Sequence, residues 1–152
     1  MDQLRALSVR QPWAHAIVHF GKDIENRSRR LGHRGWTLIH ASGGLTPDEN
    51  SDAADWMSAR GLVRRPLPGF LQLDRGGIVG IARVVDSISA ADERSASRWW
   101  MGPFGLVLRD ARPLPFTPCK GTVAPLFWRP DQDTLDRLRP AILGLGLPEL
   151  GA

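Results

Sequence analysis

Apolar and polar residues alternate in short blocks along this chain. Residues 4–9 (LRALSV) form an apolar run that predicts a strand. Gln11-Pro12 then opens a helix, because proline suits the first helical position. Trp13, Ala16, Ile17 and Phe20 fall at i, i+3, i+4 and i+7, which makes one apolar face, and Gly21 supplies the stop. Residues 24–30 (IENRSRR) alternate, with Glu25, Arg27 and Arg29 on one side and Ile24, Asn26 and Ser28 on the other. Trp36–Ala41 is a stronger strand. Thr46-Pro47-Asp48-Glu49 has the form of a capping box, so a helix is expected to about Arg60, ended by Gly61. Gly76–Ser89 is the strongest strand. Its apolar residues lie at both parities through Ile78–Val85, as in a strand covered on both faces. Ala91–Trp100 reads as a short helix, Phe104–Leu108 and Thr122–Trp128 as two more strands, and 131–143 as a C-terminal helix disturbed by Pro140.

The sum is about six strands and three or four helices. The helices do not interleave regularly with the strands, which argues against a doubly wound parallel sheet. The expected class is α+β: a small mixed β-barrel flanked by helices, in one domain over residues 1–152.

Composition narrows the function classes. An apolar fraction of 42% with 24% charged residues is that of a folded chain rather than a disordered one. The single cysteine, Cys119, rules out an intrachain disulfide and a multi-cysteine zinc site. His15 and His19 share a helix face at i,i+4 but lack a further ligand motif, so no metal and no cofactor is expected. No apolar run reaches membrane-spanning length, and Met1–Arg5 lacks a signal pattern. The expectation is a soluble cytoplasmic protein, without a membrane or an obligate protein partner. The net charge of +4 pulls only weakly toward anionic partners. The division of the twenty basic residues is more telling, with 18 Arg against Lys22 and Lys120. An ammonium can lose its proton where a guanidinium cannot, so a retained lysine is a candidate for chemistry.

The densest polar cluster is Phe20-Gly21-Lys22-Asp23-Ile24-Glu25-Asn26-Arg27. Cation, anion and cation within six residues can converge on a cleft and recognise a phosphate or a planar polar ring. From spacing alone, an ion-paired surface strand explains them as well.

Leu7-Ser8-Val9-Arg10-Gln11-Pro12-Trp13, then Gly21-Lys22-x-x-Glu25-Asn26-Arg27, then Ile39-His40-Ala41, resembles the ASCH (activating signal cointegrator homology) family. The family hallmark is Gly-x-Lys-x-x-Glu-x-Arg; here the glycine directly precedes the lysine. Gly77-Ile78-Val79-Gly80, Gly102-Pro103-Phe104-Gly105 and Pro113-Leu114-Pro115 with Lys120-Gly121 extend the resemblance along nearly the whole chain. It implies a barrel similar to the PUA domains of RNA-modification proteins. It also implies a cleft at the hallmark that binds RNA or a nucleotide. Some members remove acyl groups from N4-acetylcytidine; others are described as ribonucleases or as nucleic-acid binders. In the small amidohydrolases the hallmark lysine is catalytic, with a threonine three positions later and a more distant glutamate. Lys22 matches that lysine and Glu25 stands at the threonine position. Glu93 is the acidic candidate for the third place.

The reading that follows is a metal-independent amidohydrolase acting on N4-acylated cytosine nucleosides, or on the same base in RNA. A non-catalytic RNA- or DNA-binding module is the alternative, and a ribonuclease comes third. Lys22 and Glu25 are the catalytic candidates, with two assignments open. Either Lys22 is a neutral base and Glu25 orients water, or Glu25 is the base and a cationic Lys22 stabilises the oxyanion. Arg10, Gln11, Arg27, His40 and Ser42 are expected to shape the pocket. Trp13 and Trp100 are candidates for base stacking and Lys120 for a phosphate contact. Cys119 follows Pro118 with no histidine close in sequence, which gives it little claim as a nucleophile.

Overall fold

The computed structural model of the protein describes residues 1–150; the last two residues of the expected domain, 151–152, lie outside them. The chain runs β1 (Arg5–Val9), α1 (Trp13–His19), β2 (Ile24–Arg27), β3 (Gly35–Ala41), α2 (Pro47–Ala59), β4 (Gly77–Ser89), a 3-10 turn (Glu93–Ala96), β5 (Phe104–Pro118), β6 (Phe127–Trp128) and α3 (Gln132–Gly144). One six-stranded sheet has the order β2-β5-β4-β3-β1-β6. Only β1 and β3 pair in parallel; their register sets Ser8 opposite His40 and Val9 opposite Ala41. The sheet curls as a half-barrel, with β2 and β6 as its edges. Three register shifts between β4 and β5 supply local bending, since each bulge increases twist on its strand.

Alternation places the core on both faces. Leu4, Ala6, Trp36, Leu38, Ile78 and Ile81 pack against Leu135, Leu138 and Ile142 of α3. Leu7, Val9, Ile39 and Ala41, one residue out of phase, pack with Ala14 and Ile17 of α1. A third cluster joins Phe20, Ile24, Met57, Val107 and Trp99, tying α2 to the end of α1. Both faces of the central strands are therefore covered, as the apolar run in β4 requires. Thr46 caps α2 by accepting from Glu49 N–H. Among the described residues the Glu49 side chain does not return to the Thr46 N–H, and its carboxylate pairs with Arg10.

Several expected boundaries shift. Helix α1 begins after Pro12, at Trp13. The strand expected over 24–30 stops at Arg27, and the helix over Ala91–Trp100 shrinks to the 3-10 turn. Strand β5 runs on from Leu108 to Pro118 through Pro113 and Pro115. Strand β2 pairs only with Phe104–Val107, so the rest of β5 has a free edge, where a missing N–H breaks no ladder. The strand expected over Thr122–Trp128 is reduced to Phe127–Trp128, paired with Leu7 and Ala6. The 119–126 segment before it crosses irregularly over the ends of β1 and β3, where the Cys119 carbonyl accepts from His40 and the Thr122 carbonyl lies 3.1 Å from Ser8 Oγ.

Gly80 shows how closely α1 lies on β4. A Cβ there would stand 2.6 Å from a Val18 methyl and 2.7 Å from the Arg112 carbonyl oxygen. Gly80→Ala is expected to destabilise the fold by about 1–3 kcal/mol, read as a lower urea midpoint at unchanged slope. An unchanged midpoint would contradict this packing.

Candidate functional site

The hallmark segment is shaped by the end of α1. Gly21 adopts φ +68°, a conformation that favours glycine, and the Lys22 N–H turns back to the Ala16 carbonyl. That reversal sends the Lys22 side chain inward, where it is 3% exposed. Strand β2 then pairs with β5, setting Glu25 against Leu106 and Arg27 against Phe104. Glu25 and Arg27, two residues apart on one strand, share a face as the alternation predicts.

The three side chains form a continuous ion chain. Lys22 Nζ donates to Glu25 Oε1 at 2.7 Å and Arg27 Nη2 donates to Glu25 Oε2 at 2.8 Å. Lys22 Nζ also donates to the Ile24 carbonyl. An ammonium has three N–H bonds, so one is left without a protein acceptor. Its flank is the Trp13 ring, whose centroid lies 5.9 Å from Nζ. Burial pushes the Glu25 carboxyl up, but the charges and hydrogen bonds of Lys22 and Arg27 outweigh it and hold Glu25 below its ordinary value. Arg27 Nη2 also reaches the Ser8 carbonyl, while its Nε is buried without a partner. A buried unpartnered donor costs on the order of 1–3 kcal/mol. Desolvated charges seldom repay their own burial, so such a cluster is weak as a stabilising device and marks a site.

The ion chain forms one wall of a cleft of about 500 Å³. The lining includes Ser8, Arg10, Trp13, Ser42 and Met101 besides the three charged residues. This is within the ~300–1,000 Å³ usual for small-molecule sites. A second cavity, of about 510 Å³, adjoins it and shares Ser8, Ser42 and Val123. His40, Cys119, Lys120 and Thr122 line that second cavity.

The structure thus brings Lys22, Glu25, Arg27, Arg10, Trp13 and Ser42 to one cleft. Trp13 serves two ends, since it also packs against the apolar core and edge-on to Trp56 at 5.6 Å. Five sequence candidates lie elsewhere. Gln11 is buried; its Nε2 donates to the Asp74 carbonyl and its Oε1 accepts from His15 N–H, so it braces the start of α1. Trp100 packs beside Gly102 and Gly105, leaving Met101 to face the cleft. Lys120 and His40 belong to the second cavity. Glu93 is exposed on the 3-10 turn and is not among the residues lining the cleft. Asn26 also lines the cleft and holds the 99–102 loop, donating to the Trp99 carbonyl and accepting from Met101 and Gly102 N–H.

Ser8 was not a sequence candidate. Its signal was the one hydroxyl between the apolar Leu7 and Val9 of β1, opposite the histidine of β3. Burial pushes the Cys119 thiol up, in keeping with an unreactive side chain. His15 and His19 stack at 4.5 Å, and burial, then His19 and Arg65, push His15 down to about 4. Among the described residues no three His, Cys, Asp or Glu side chains converge on a metal position. Among them, too, no helix is long and apolar enough to cross a membrane.

The fold is similar to that of solved ASCH structures. Crystallised ASCH from Zymomonas mobilis is 14% identical at a TM-score of 0.49, covering 92% of this chain and 96% of its own. Two mutant forms of that protein are 14% and 13% identical, again at 0.49, covering 91% and 92% of this chain and 97% and 96% of theirs. At that identity the likeness says nothing about ligand or chemistry. No family model matches the chain, and no curated protein matches it in sequence.

The ion chain makes a linkage prediction. A carboxyl held below its ordinary value stabilises the fold above the unfolded value of ~4.3, and that stability is lost as pH falls through the folded value. Glu25→Gln leaves the buried Lys22 and the half-buried Arg27 without their anion and is expected to cost about 3–5 kcal/mol at pH 7. Urea unfolding should show the gap between wild type and Glu25→Gln narrowing as pH drops below ~4.3. A gap independent of pH would contradict the ion chain.

Proposed function

We propose that this protein is an ASCH-type domain whose cleft binds a modified cytosine nucleoside, free or in RNA, and hydrolyses its N4-acyl amide. The observation that carries the reading is a buried lysine with one uncommitted N–H at the wall of a nucleoside-sized cleft. Trp13 and Met101 offer apolar surface to a flat ring, and Ser42 offers a hydroxyl to its edge.

Attack on an amide carbon drives negative charge onto the acyl oxygen. A fixed donor in a dry pocket stabilises that charge without reorganising. Glu25 and the Ile24 carbonyl keep Lys22 aimed, which favours the assignment with Lys22 as the cationic donor. Glu25 has one oxygen on each cation, but a carboxylate has about four acceptor sites, so it can still orient a water. Its lowered pKa makes it a weak base, which takes the water proton only as the new C–O bond forms. Arg27 fixes the carboxylate. The C–N bond then breaks and the proton taken by Glu25 passes to the leaving N4, whose charge is spread into the cytosine ring and so demands little of the acid. This substrate is consistent with the expected cytoplasmic location.

The same geometry favours one other reading. Two cations on one carboxylate leave the ion chain net positive, and Arg10 lies beside it, which suits retention of a nucleic acid without turnover.

Incubation with N4-acetylcytidine distinguishes these. The enzyme reading expects release of cytidine, reduced about 10²–10³-fold in Lys22→Ala, as for loss of an oxyanion donor. Lys22→Arg should fail as well, because a planar guanidinium does not reproduce a compact buried ammonium. No turnover of any N4-acyl cytosine nucleoside, together with RNA affinity that falls steeply with salt, would establish the binding module instead.

A further inference from the structure

Ser8 and His40 sit opposite each other on the parallel β1–β3 pair, Ser8 at the wall shared by the cleft and the second cavity and His40 on the second cavity's side of it. Ser8 Oγ lies 3.2 Å from His40 Nδ1. On the far side of the ring, His40 Nε2 lies 3.0 Å from the Cys119 carbonyl oxygen. A carbonyl only accepts, so Nε2 carries the proton, and in the neutral ring Nδ1 is the acceptor. Ser8 has a single hydroxyl proton, with Nδ1 and the Thr122 carbonyl both in reach. Donation to Thr122 would leave Nδ1 without a partner, so the bond to Nδ1 is the one a neutral His40 selects.

The ring is held from other directions too. Trp128 meets it edge-on at 5.3 Å and donates Nε1–H to Ser8 Oγ at 3.2 Å. The Gly121 backbone lies so close that a Cβ there would stand 2.4 Å from His40 Cε1. A hydroxyl, a base within hydrogen-bond reach and a third group fixing the base's tautomer make the arrangement of an activated nucleophile. Burial keeps His40 below its ordinary value, hence neutral and able to accept.

We propose that Ser8 is a nucleophile activated by His40, and that it accepts an acyl group from an ester or amide bound across the shared wall. Ser8 Oγ attacks the acyl carbon and its proton passes to His40 Nδ1. The carbon–leaving-group bond breaks, and the leaving alcohol or amine takes that proton, leaving an acyl ester on Ser8. Water then attacks the ester, giving one proton to His40 Nδ1. Ser8 Oγ leaves and recovers that proton, and the acyl group departs as a carboxylic acid. The identity of the acyl donor as an N4-acyl cytosine rests on the reading above, and with that donor Ser8 takes the place of the Glu25-oriented water in the first attack; the nucleophile itself does not rest on that reading.

A fluorophosphonate probe, which labels activated serines, tests this on the whole chain, with peptide mapping to locate the label. The expected result is labelling at Ser8, slowed about 100-fold or more in His40→Gln, the scale of a lost general base. Brief incubation with p-nitrophenyl acetate should leave one acetyl group on the Ser8 peptide. Label absent from Ser8 in folded wild-type protein would overturn the proposal, and so would equal labelling in folded His40→Gln. Because mapping is done on wild type, a misfolded Ser8→Ala does not blunt the test. Labelled Ser8 without turnover of N4-acetylcytidine would keep the nucleophile and remove the substrate reading. Turnover without any label on Ser8 would do the reverse.

Discussion

The site is organised by the burial of an ammonium beside a carboxylate. Lys22 is nearly sealed from solvent, and a charge in that position is tolerable only with acceptors on most of its N–H bonds. Glu25 and the Ile24 carbonyl supply two; Arg27 then holds the other oxygen of Glu25. The three charged residues come from one eight-residue stretch, so the turn at Gly21 and the start of β2 must keep their geometry together. Removal of Glu25 leaves both cations without their anion, whereas removal of either cation leaves Glu25 paired with the other. Replacement of all three by apolar residues of similar volume would often be the more stable solution, which is why the chain's retention of them points to a ligand.

The rest of the fold positions that stretch and builds the opposite wall. The β2–β5 pairing fixes the face of Glu25 and Arg27, and the cluster of Phe20, Ile24 and Val107 anchors the turn from below. The parallel β1–β3 pair brings Ser8 and Ser42 to the other side, and Arg27 ties the two walls by reaching the Ser8 carbonyl. The irregular 119–126 segment closes over His40, with Gly121 admitting the closest approach. One cleft and one adjoining cavity thus meet along a line of small hydroxyl residues, bounded by fixed charges on one side and a fixed imidazole on the other.

Much of this was legible in the sequence because it depends on local rules. Periodicity located β1, β3, β4 and α2, and the cation–anion–cation spacing located the ion chain. Non-local pairing decided what local rules could not. The strand expected over Phe104–Leu108 runs on to Pro118, and its prolines 113 and 115 lie where β5 has no neighbour on one side. Gln11 and Trp100 carry the right chemistry for a pocket but are engaged by Asp74, His15 and the 102–105 backbone, contacts distant in sequence or set by a turn. Ser8 went unnoticed for the converse reason: its partner is 32 residues away across a parallel register that no spacing predicts.

The ionisation of Glu25 is the point on which the account turns. A ¹³C-detected NMR titration of the Glu25 side-chain carboxyl measures it directly. The account predicts a midpoint below that of an ordinary glutamate, moving upward in Lys22→Met as the paired cation is removed. A midpoint at or above the ordinary value, unchanged in Lys22→Met, would contradict it, because burial would then outweigh the cations and the ion chain would not exist.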